Sequence, residues 1–348
     1  MADETSKSSA PASLTPRQIE ELLLGGELRY TRVDAARIAD VPAEFSDRLW
    51  RAFGYPRYAD DEVAFTEGDI AALCRLRRLI SEDVLDADSV IRMVRAVGQT
   101  MSRLAEWQVD LLTARLVGDS ADPPSQEAID AMLEIAEKHV GDFEPLIVHA
   151  WRRQLAGSAT RAMALAATSD DATAPARPLC VVGFADLVAF TQMSRELNEL
   201  ELTRVVERFE EITSDVVAAN GGRLVKTLGD EVLYSAESPE LGAEISLAIA
   251  EAIKKSPEVP DVRVGVSYGP VLPLMGDLFG TTVNLAARLT AIARPGAVVA
   301  DSALAAELEG SAGYEPIRIL RRPARGLGVV QPYVLRRRAQ QPSKSGAE

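Results

Sequence analysis

The stretch Arg223-Leu-Val-Lys-Thr-Leu-Gly-Asp-Glu-Val-Leu-Tyr234 decides the fold of the second half of the chain. Apolar runs lie on both sides of Gly229-Asp230, and a Gly-X pair between two strand-like runs is typical of a tight hairpin turn. Lys226 interrupts the first run, where a buried strand has no use for an unpaired cation. The stretch therefore predicts a β-hairpin whose lysine and aspartate have a role beyond the fold.

Helical and strand-like patterns alternate on both sides of this hairpin. We predict a strand at 179–184, a helix over 199–219, a helix near 238–254, a strand at 262–268, a helix near 281–293 and further short strands. Helices that alternate with a few strands, one hairpin included, indicate an α+β domain of the ferredoxin-like kind. We place this domain at 179–337 and expect a disordered tail over 338–348.

The first half of the chain shows helical periodicity without a convincing strand pair. A capping box with proline at the first helical position begins it at Thr15-Pro-Arg-Gln18. We therefore predict a disordered tail over 1–13, an all-α domain over 14–166, and a proline-punctuated linker over 167–178. The amphipathic helices are expected at 33–39, 44–53, 68–80, 87–117 and 126–140.

Composition and charge exclude several classes of protein. The 348 residues, 47% hydrophobic and 26% charged, are ordinary for about two globular domains. The net charge of −14 comes mainly from residues 1–150, with 28 acidic and 16 basic side chains. Such a balance repels a phosphate backbone and argues against a nucleic-acid partner.

The chain also lacks the signals of export. Its N-terminus is polar, and no apolar run approaches the roughly 20 residues that span a bilayer. The best candidate, Leu146 to Ala167, contains three arginines and is expected to be a soluble helix. Cys74 and Cys180 lie in apolar contexts and are expected to be two separate thiols in a reducing cytoplasm.

Six polar residues in the second half stand in apolar or glycine-containing segments. Singly, each has an ordinary explanation: a turn, a helix N-cap or a salt-bridge partner. Together they supply two carboxylates for metal, a cation and a carboxylate for a base edge, and an amide with a guanidinium for phosphate. This inventory suits phosphoryl-group chemistry on a nucleotide. The six are Asp186, Lys226, Asp230, Asp277, Asn284 and Arg288.

The motifs that carry these residues resemble the catalytic domain of the class III adenylate cyclases over about residues 178–337. All six positions hold the residue types of that family. The matching motifs are Phe184-Ala-Asp-Leu-Val-Ala-Phe-Thr191, Lys226-Thr-Leu-Gly-Asp230, Arg263-Val-Gly-Val-Ser-Tyr-Gly269 and Gly280-Thr-Thr-Val-Asn-Leu-Ala-Ala-Arg288. The stretch from Gly269 to Gly280 is short compared with many relatives, which implies an abbreviated arm beside the site.

The resemblance implies a role for each residue in converting ATP to 3′,5′-cyclic AMP and pyrophosphate. Asp186, Asp230 and the Leu187 carbonyl would bind two divalent cations, Mg²⁺ or Mn²⁺. Lys226 and Asp277 would read adenine. Arg288 would stabilise charge on the α-phosphate and Asn284 would orient the ribose. In this family the metal carboxylates come from one protomer and the other four residues from its partner, so a homodimer is implied.

The first half resembles two kinds of helical domain. Leu104-Ala-Glu-Trp-Gln-Val109 and His149-Ala-Trp-Arg-Arg153 are similar to the autoinhibitory domain of pH-responsive mycobacterial-type cyclases. This implies a regulatory domain, with His139 and His149 as candidates for a pH switch; an unidentified apolar ligand is the alternative. The segment from Tyr30 to Leu79 is also similar to a MerR-like helix-turn-helix, but the acidic balance argues against DNA binding.

Two other functions compete with this interpretation. Gly229-Asp-Glu231 on a related fold suggests a diguanylate cyclase, although the full turn motif of such enzymes is absent and Lys226 with Asp277 has no place in it. A degenerate nucleotide-binding sensor is the non-enzymatic alternative, which a complete set of metal and phosphate residues disfavours.

Overall fold

The computed structural model describes residues 15–117, 125–168 and 177–338. The chain folds into two compact units, which divide at Arg161. The predicted tail over 1–13, most of the predicted linker over 167–178 and residues 339–348 of the predicted C-terminal tail lie outside the described residues.

The described part of the first unit is helical. Each predicted helix is present, but the helices predicted at 126–140 and from Leu146 to Ala167 form one continuous helix that runs through Pro145. Thr15, Thr31 and Thr66 each cap a helix through a reciprocal capping box. The helices are α1 Pro16–Leu24, α2 Arg32–Ile38, α3 Ala43–Phe53, α4 Glu67–Ser81, α5 Ala87–Val117 and α6 Gln126–Thr168.

An aromatic cluster packs the C-terminal half of α3 against the segment that leads into α4. The rings of Trp50 and Phe65 lie 5.1 Å apart, and Tyr55 stacks on Trp50. A single β-bridge joins Tyr30 to Phe65, a pairing that the sequence did not predict. Carboxylates already engage several arginines of this segment: Arg32 with Asp47 and Asp60, Arg48 with Asp88, and Arg77 with Asp40. This pairing reduces the positive charge that a phosphate backbone would meet.

The second unit is an α+β fold with a seven-stranded sheet in the order β2-β3-β1-β4-β7-β11-β8. The sheet is antiparallel except for the β4–β7 pair. Its strands are β1 Leu179–Leu187, β2 Arg223–Thr227, β3 Glu231–Ala236, β4 Val262–Pro270, β7 Val298–Ala300, β8 Tyr314–Arg318 and β11 Tyr333–Arg337. Two small hairpins pair β5 Leu272–Leu274 with β6 Asp277–Phe279, and β9 Arg322–Ala324 with β10 Gly328–Val330.

Helices cover both faces of this sheet. They are α7 Phe190–Glu196, α8 Glu199–Ala219, α9 Pro239–Lys254, α10 Thr281–Ile292 and α11 Ser302–Glu307. Because side chains alternate along a strand, Val181 and Ala185 of β1 pack toward α8 and α9, while Val182 and Phe184 pack toward α10. The predicted fold class is confirmed.

Two glycines allow these layers to approach closely. A Cβ on Gly265 of β4 would lie 2.1 Å from the Thr290 backbone nitrogen, so α10 lies directly against the strand. A Cβ on Gly183 would meet the ring of Tyr234, which is fully buried and bonded to the Ser246 hydroxyl at 2.7 Å. The first contact fixes the helix that carries Asn284 and Arg288.

Over the described ranges, no helix is long and apolar enough to cross a membrane. Cys74 and Cys180 are both free thiols, as predicted, and burial raises the pKa of Cys180 to about 11.

Candidate active site

The two predicted metal carboxylates lie together at one end of the β1–β3 pair. Asp186 is the second-to-last residue of β1, and Asp230 immediately precedes β3. The Leu187 N–H donates to the Asp230 carbonyl at 2.9 Å, which ties the end of β1 to the hairpin turn. Asp186 belongs to the alternate set of residues that faces α10.

The electrostatics of this group fit a bound cation. Burial, and then the negative charge of Asp230, raise the pKa of Asp186, while Arg263 opposes both. Half-buried oxygen ligands that repel one another are the donor set that hard divalent cations prefer. The described residues contain no cluster of three His, Cys, Asp or Glu side chains with metal-binding geometry. The predicted set requires two carboxylates and a backbone carbonyl.

The two residues predicted to read the base form an ion pair within one chain. The Lys226 Nζ of β2 donates to the Asp277 Oδ2 of β6 at 2.5 Å, and both side chains are about one-third exposed or less. Burial alone would raise the pKa of Asp277, but the Lys226 hydrogen bond and the Leu278 N–H outweigh it and lower that pKa. The pair is therefore charged and partly accessible, which suits contact with a polar base edge.

The remaining two residues share one face of α10. Asn284 and Arg288 are four residues apart and both exposed. Among the described residues Arg288 has no ion-pair partner, and no hydrogen bond or ion pair links these two residues to the carboxylates or to the Lys226–Asp277 pair. One chain thus assembles three separate pairs.

Comparison with known proteins identifies the family of the chain. Residues 174–335 match the family described as the adenylate and guanylate cyclase catalytic domain. An adenylate cyclase of Streptomyces coelicolor is 41% identical, over 94% of this chain and 93% of that protein. The chain belongs to the class III adenylate cyclases. The predicted family is confirmed, and with it the prediction of an enzyme.

Other relatives of this cyclase match most of its length. An adenylate cyclase of Glutamicibacter nicotianae is 36% identical over 92% of the chain and 82% of that protein. A pH-sensitive adenylate cyclase of Mycobacterium tuberculosis is 30% identical over 86% of the chain and 75% of that protein. Both matches therefore extend beyond the catalytic domain into the helical first unit.

One acidic residue beside the candidate metal carboxylates was not singled out from the sequence. Glu231 lies directly opposite Asp186 in the β1–β3 register, and burial together with the charges of Asp186 and Asp230 raises its pKa to about 7. The Lys226 charge acts in the opposite direction. The strand pairing would have identified it, because residues directly opposite on antiparallel strands share a face.

The two histidines of the cyclase lie apart on α6. The Nδ1 of His139 is 3.1 Å from a carboxylate oxygen of Asp142, one turn further along. His149 is exposed. Ten residues separate them on a helix that rises about 1.5 Å per residue, so they form no single cluster.

Proposed function

We propose that the protein converts ATP to 3′,5′-cyclic AMP and pyrophosphate. The observation that carries the proposal is the Lys226–Asp277 pair at 2.5 Å. A lysine donates to adenine N1 and a carboxylate accepts from the exocyclic amine, whereas guanine offers a donor and an acceptor in the reverse order. The pair therefore favours ATP over GTP, and the names of the relatives support the same substrate.

The carboxylate group would bind the cations of the reaction. Asp186, Asp230 and the Leu187 carbonyl would hold two divalent cations, Mg²⁺ or Mn²⁺. When bound, these supply neutralising charge for the triphosphate and a lower pKa for the ribose 3′-hydroxyl. The crowding of Asp186 and Asp230 supports this role, because a cation would relieve their repulsion.

Asn284 and Arg288 would act on the ribose and the α-phosphate. The 3′-oxygen forms a bond to the α-phosphorus and its proton leaves to solvent. The bond from that phosphorus to the bridging oxygen breaks, and pyrophosphate departs. The Arg288 guanidinium would neutralise charge on the α-phosphoryl oxygens, and the Asn284 amide would fix the ribose beside it.

Two chains would together complete each site. Asn284 and Arg288 are exposed, and within one chain no bond connects them to Asp186 or Asp230. In a twofold dimer, the carboxylates of one protomer would face the other four residues of its partner, giving two equivalent sites. The exposed apolar side chains of the β5–β6 hairpin, among them Leu274 and Phe279, support an interface there.

The function is tested by incubating the full chain with Mn²⁺ and either ATP or GTP and separating the products by chromatography. We expect cyclic AMP and pyrophosphate from ATP, at a rate well above any cyclisation of GTP. Cyclic di-GMP from GTP would instead indicate the diguanylate cyclase alternative. Nucleotide binding without any product would indicate the sensor alternative.

We also propose that the helical first unit regulates the cyclase in the cytoplasm. The match to a pH-sensitive relative extends into this unit, which supports pH as one signal; an apolar ligand is the alternative. Protonation of His139 or His149 would change the charge of α6, the last helix before the catalytic domain in sequence.

The histidine hypothesis predicts a changed activity–pH profile. If one of these histidines is the switch, replacing it with alanine removes the group that changes charge, so the activity–pH profile of His139→Ala or His149→Ala should be flatter than that of the wild type. Asp142→Asn is the matched control for the His139 contact, because it keeps the imidazole and removes its partner. Profiles that superimpose on the wild type would remove both histidines from any switch.

A further inference from the structure

The β5–β6 hairpin that carries Asp277 has few contacts of its own to hold it. Each strand has three residues, and the pair forms a separate two-stranded sheet. Leu278 is buried, but Leu272, Leu274, Met275 and Phe279 are each exposed over about half of their surface or slightly less. Two-stranded hairpins are marginally stable alone, so the position of Asp277 depends on the contacts that other elements make with the hairpin.

The turn of this hairpin is tight. Met275 and Gly276, its two central residues, both have positive φ, at 53° and 82°. That combination belongs to a two-residue turn of type I′. The turn directs the Gly276 carbonyl to Arg223 of β2, whose Nη2 donates to it at 2.5 Å.

Two side chains of β2 therefore form hydrogen bonds to adjacent residues of the hairpin. Arg223 bonds the backbone carbonyl just before Asp277, and Lys226 bonds the Asp277 carboxylate. The first bond fixes where the chain enters β6, and the second fixes the side chain. The positive charge of Arg223 also contributes to lowering the pKa of Asp277.

A β-bulge at Val225 allows both side chains to reach the hairpin. In a regular strand, residues three apart point to opposite faces of the sheet. Here Arg223 pairs with Ser235 and Lys226 with Leu233, so one extra residue lies on β2 between them. Ser235 and Leu233 are two apart on β3, which puts Arg223 and Lys226 on the same face.

We propose that Arg223 is a positioning residue for nucleotide selection. It acts through Asp277, by holding the hairpin so that the carboxylate meets the exocyclic amine of adenine while remaining bonded to Lys226. This inference rests on the proposed function, because it assumes that Lys226 and Asp277 read the base. Without the Arg223 bond, Asp277 still pairs with Lys226, but the position of its carboxylate relative to the adenine is no longer fixed.

The test compares Arg223→Met with the wild-type full chain. We expect the ratio of kcat/KM for ATP to that for GTP to fall about tenfold, chiefly through a higher KM for ATP. GTP is measured as a substrate or, where it is not turned over, as a competitive inhibitor. Arg223→Lys, which keeps a charged donor, should recover part of the ratio. Arg318→Met, an exposed arginine of β8, is the matched control and should leave the ratio unchanged.

A double-mutant cycle separates positioning from a general structural role. In an Asp277→Ala background Arg223→Met should no longer change the ratio, because the group through which it acts is gone. An equal loss for ATP and GTP, or the same effect in both backgrounds, would overturn the proposal. If Arg223→Met does not fold, Arg223→Gln, which is neutral and too short to reach Gly276, carries the same expectation.

These outcomes differ from failure of the proposed function itself. If the wild type does not prefer ATP, or if Lys226→Ala and Asp277→Ala keep its preference, the base-reading assignment is wrong. If those two variants lose the preference and Arg223→Met keeps it, only the role of Arg223 is wrong.

Discussion

Asp186→Ala is expected to lower the rate of cyclic AMP formation by about 10³-fold, which corresponds to about 4 kcal/mol of transition-state stabilisation. The loss follows from removing one of the two side chains that would hold the cations. The measurement is kcat at saturating Mn²⁺ and ATP, because saturation prevents weaker cation binding from lowering the measured rate. Asp215→Ala, an exposed aspartate of α8, is the matched control and should retain full activity.

Replacing Asp186 with asparagine should leave the fold intact, and pH linkage gives the reason. The pKa of Asp186 is raised in the folded chain, so the folded state binds its proton more tightly than the unfolded state does. Above the unfolded pKa of about 4, ionising this group therefore costs the folded state stability. At neutral pH and without added metal, the Tm of Asp186→Asn should equal or exceed that of the wild type. A lower Tm would mean that Asp186 is chiefly structural.

The elements with strong local signals could be predicted from the sequence. Helix α5 has the predicted bounds, and α8 does as well, because a capping box at Asn198 and a regular apolar face determine both ends of the latter. The hairpin of β2 and β3 was predicted from Gly229-Asp230, where Gly229 has φ of 72°. In each case the information lies within a few residues of the element.

Features that depend on pairing between distant segments were not predicted. Glu231 faces Asp186 only because β1 and β3 align in that register. The bulge at Val225 has no signal in the sequence, yet it puts Arg223 and Lys226 on the same face of the sheet. The helices predicted at 126–140 and from Leu146 to Ala167 were not recognised as one helix, although α6 continues through Pro145.

Both the six polar residues and their division into three pairs were predicted from the sequence, and the fold supplies the proximity of the members within each pair. Lys226 and Asp277 are 51 positions apart in sequence and 2.5 Å apart in space. Asp186 and Asp230 meet at one sheet end, whereas Asn284 and Arg288 lie exposed on α10. A single chain would thus hold a metal half and a substrate half, and among the described residues no hydrogen bond or ion pair links the six side chains of one half to those of the other. If the three pairs act on one ATP molecule, a dimer is needed to bring them together.

Mixing two inactive variants should therefore restore activity. In a heterodimer of Asp186→Ala and Arg288→Ala, one site carries both lesions and the other carries neither. Random pairing of equal amounts makes half of the dimers mixed, each with one of two sites intact, so co-expression should recover about a quarter of wild-type activity. The measurement is cyclic AMP formation by mixed dimers purified through a different tag on each chain, and these should have about half of the wild-type activity because each keeps one intact site.

The choice of partners decides whether such rescue reflects a shared site. Asp186→Ala with Asp230→Ala places both lesions in metal halves, so each site of the mixed dimer is damaged and no activity should return. Asn284→Ala with Arg288→Ala should fail likewise, because both lie in substrate halves. Rescue by Asp186→Ala with Arg288→Ala and by neither matched pair requires each site to draw its carboxylates from one protomer and its arginine from the other. Absence of rescue in purified mixed dimers would instead place all six residues in a site within one chain.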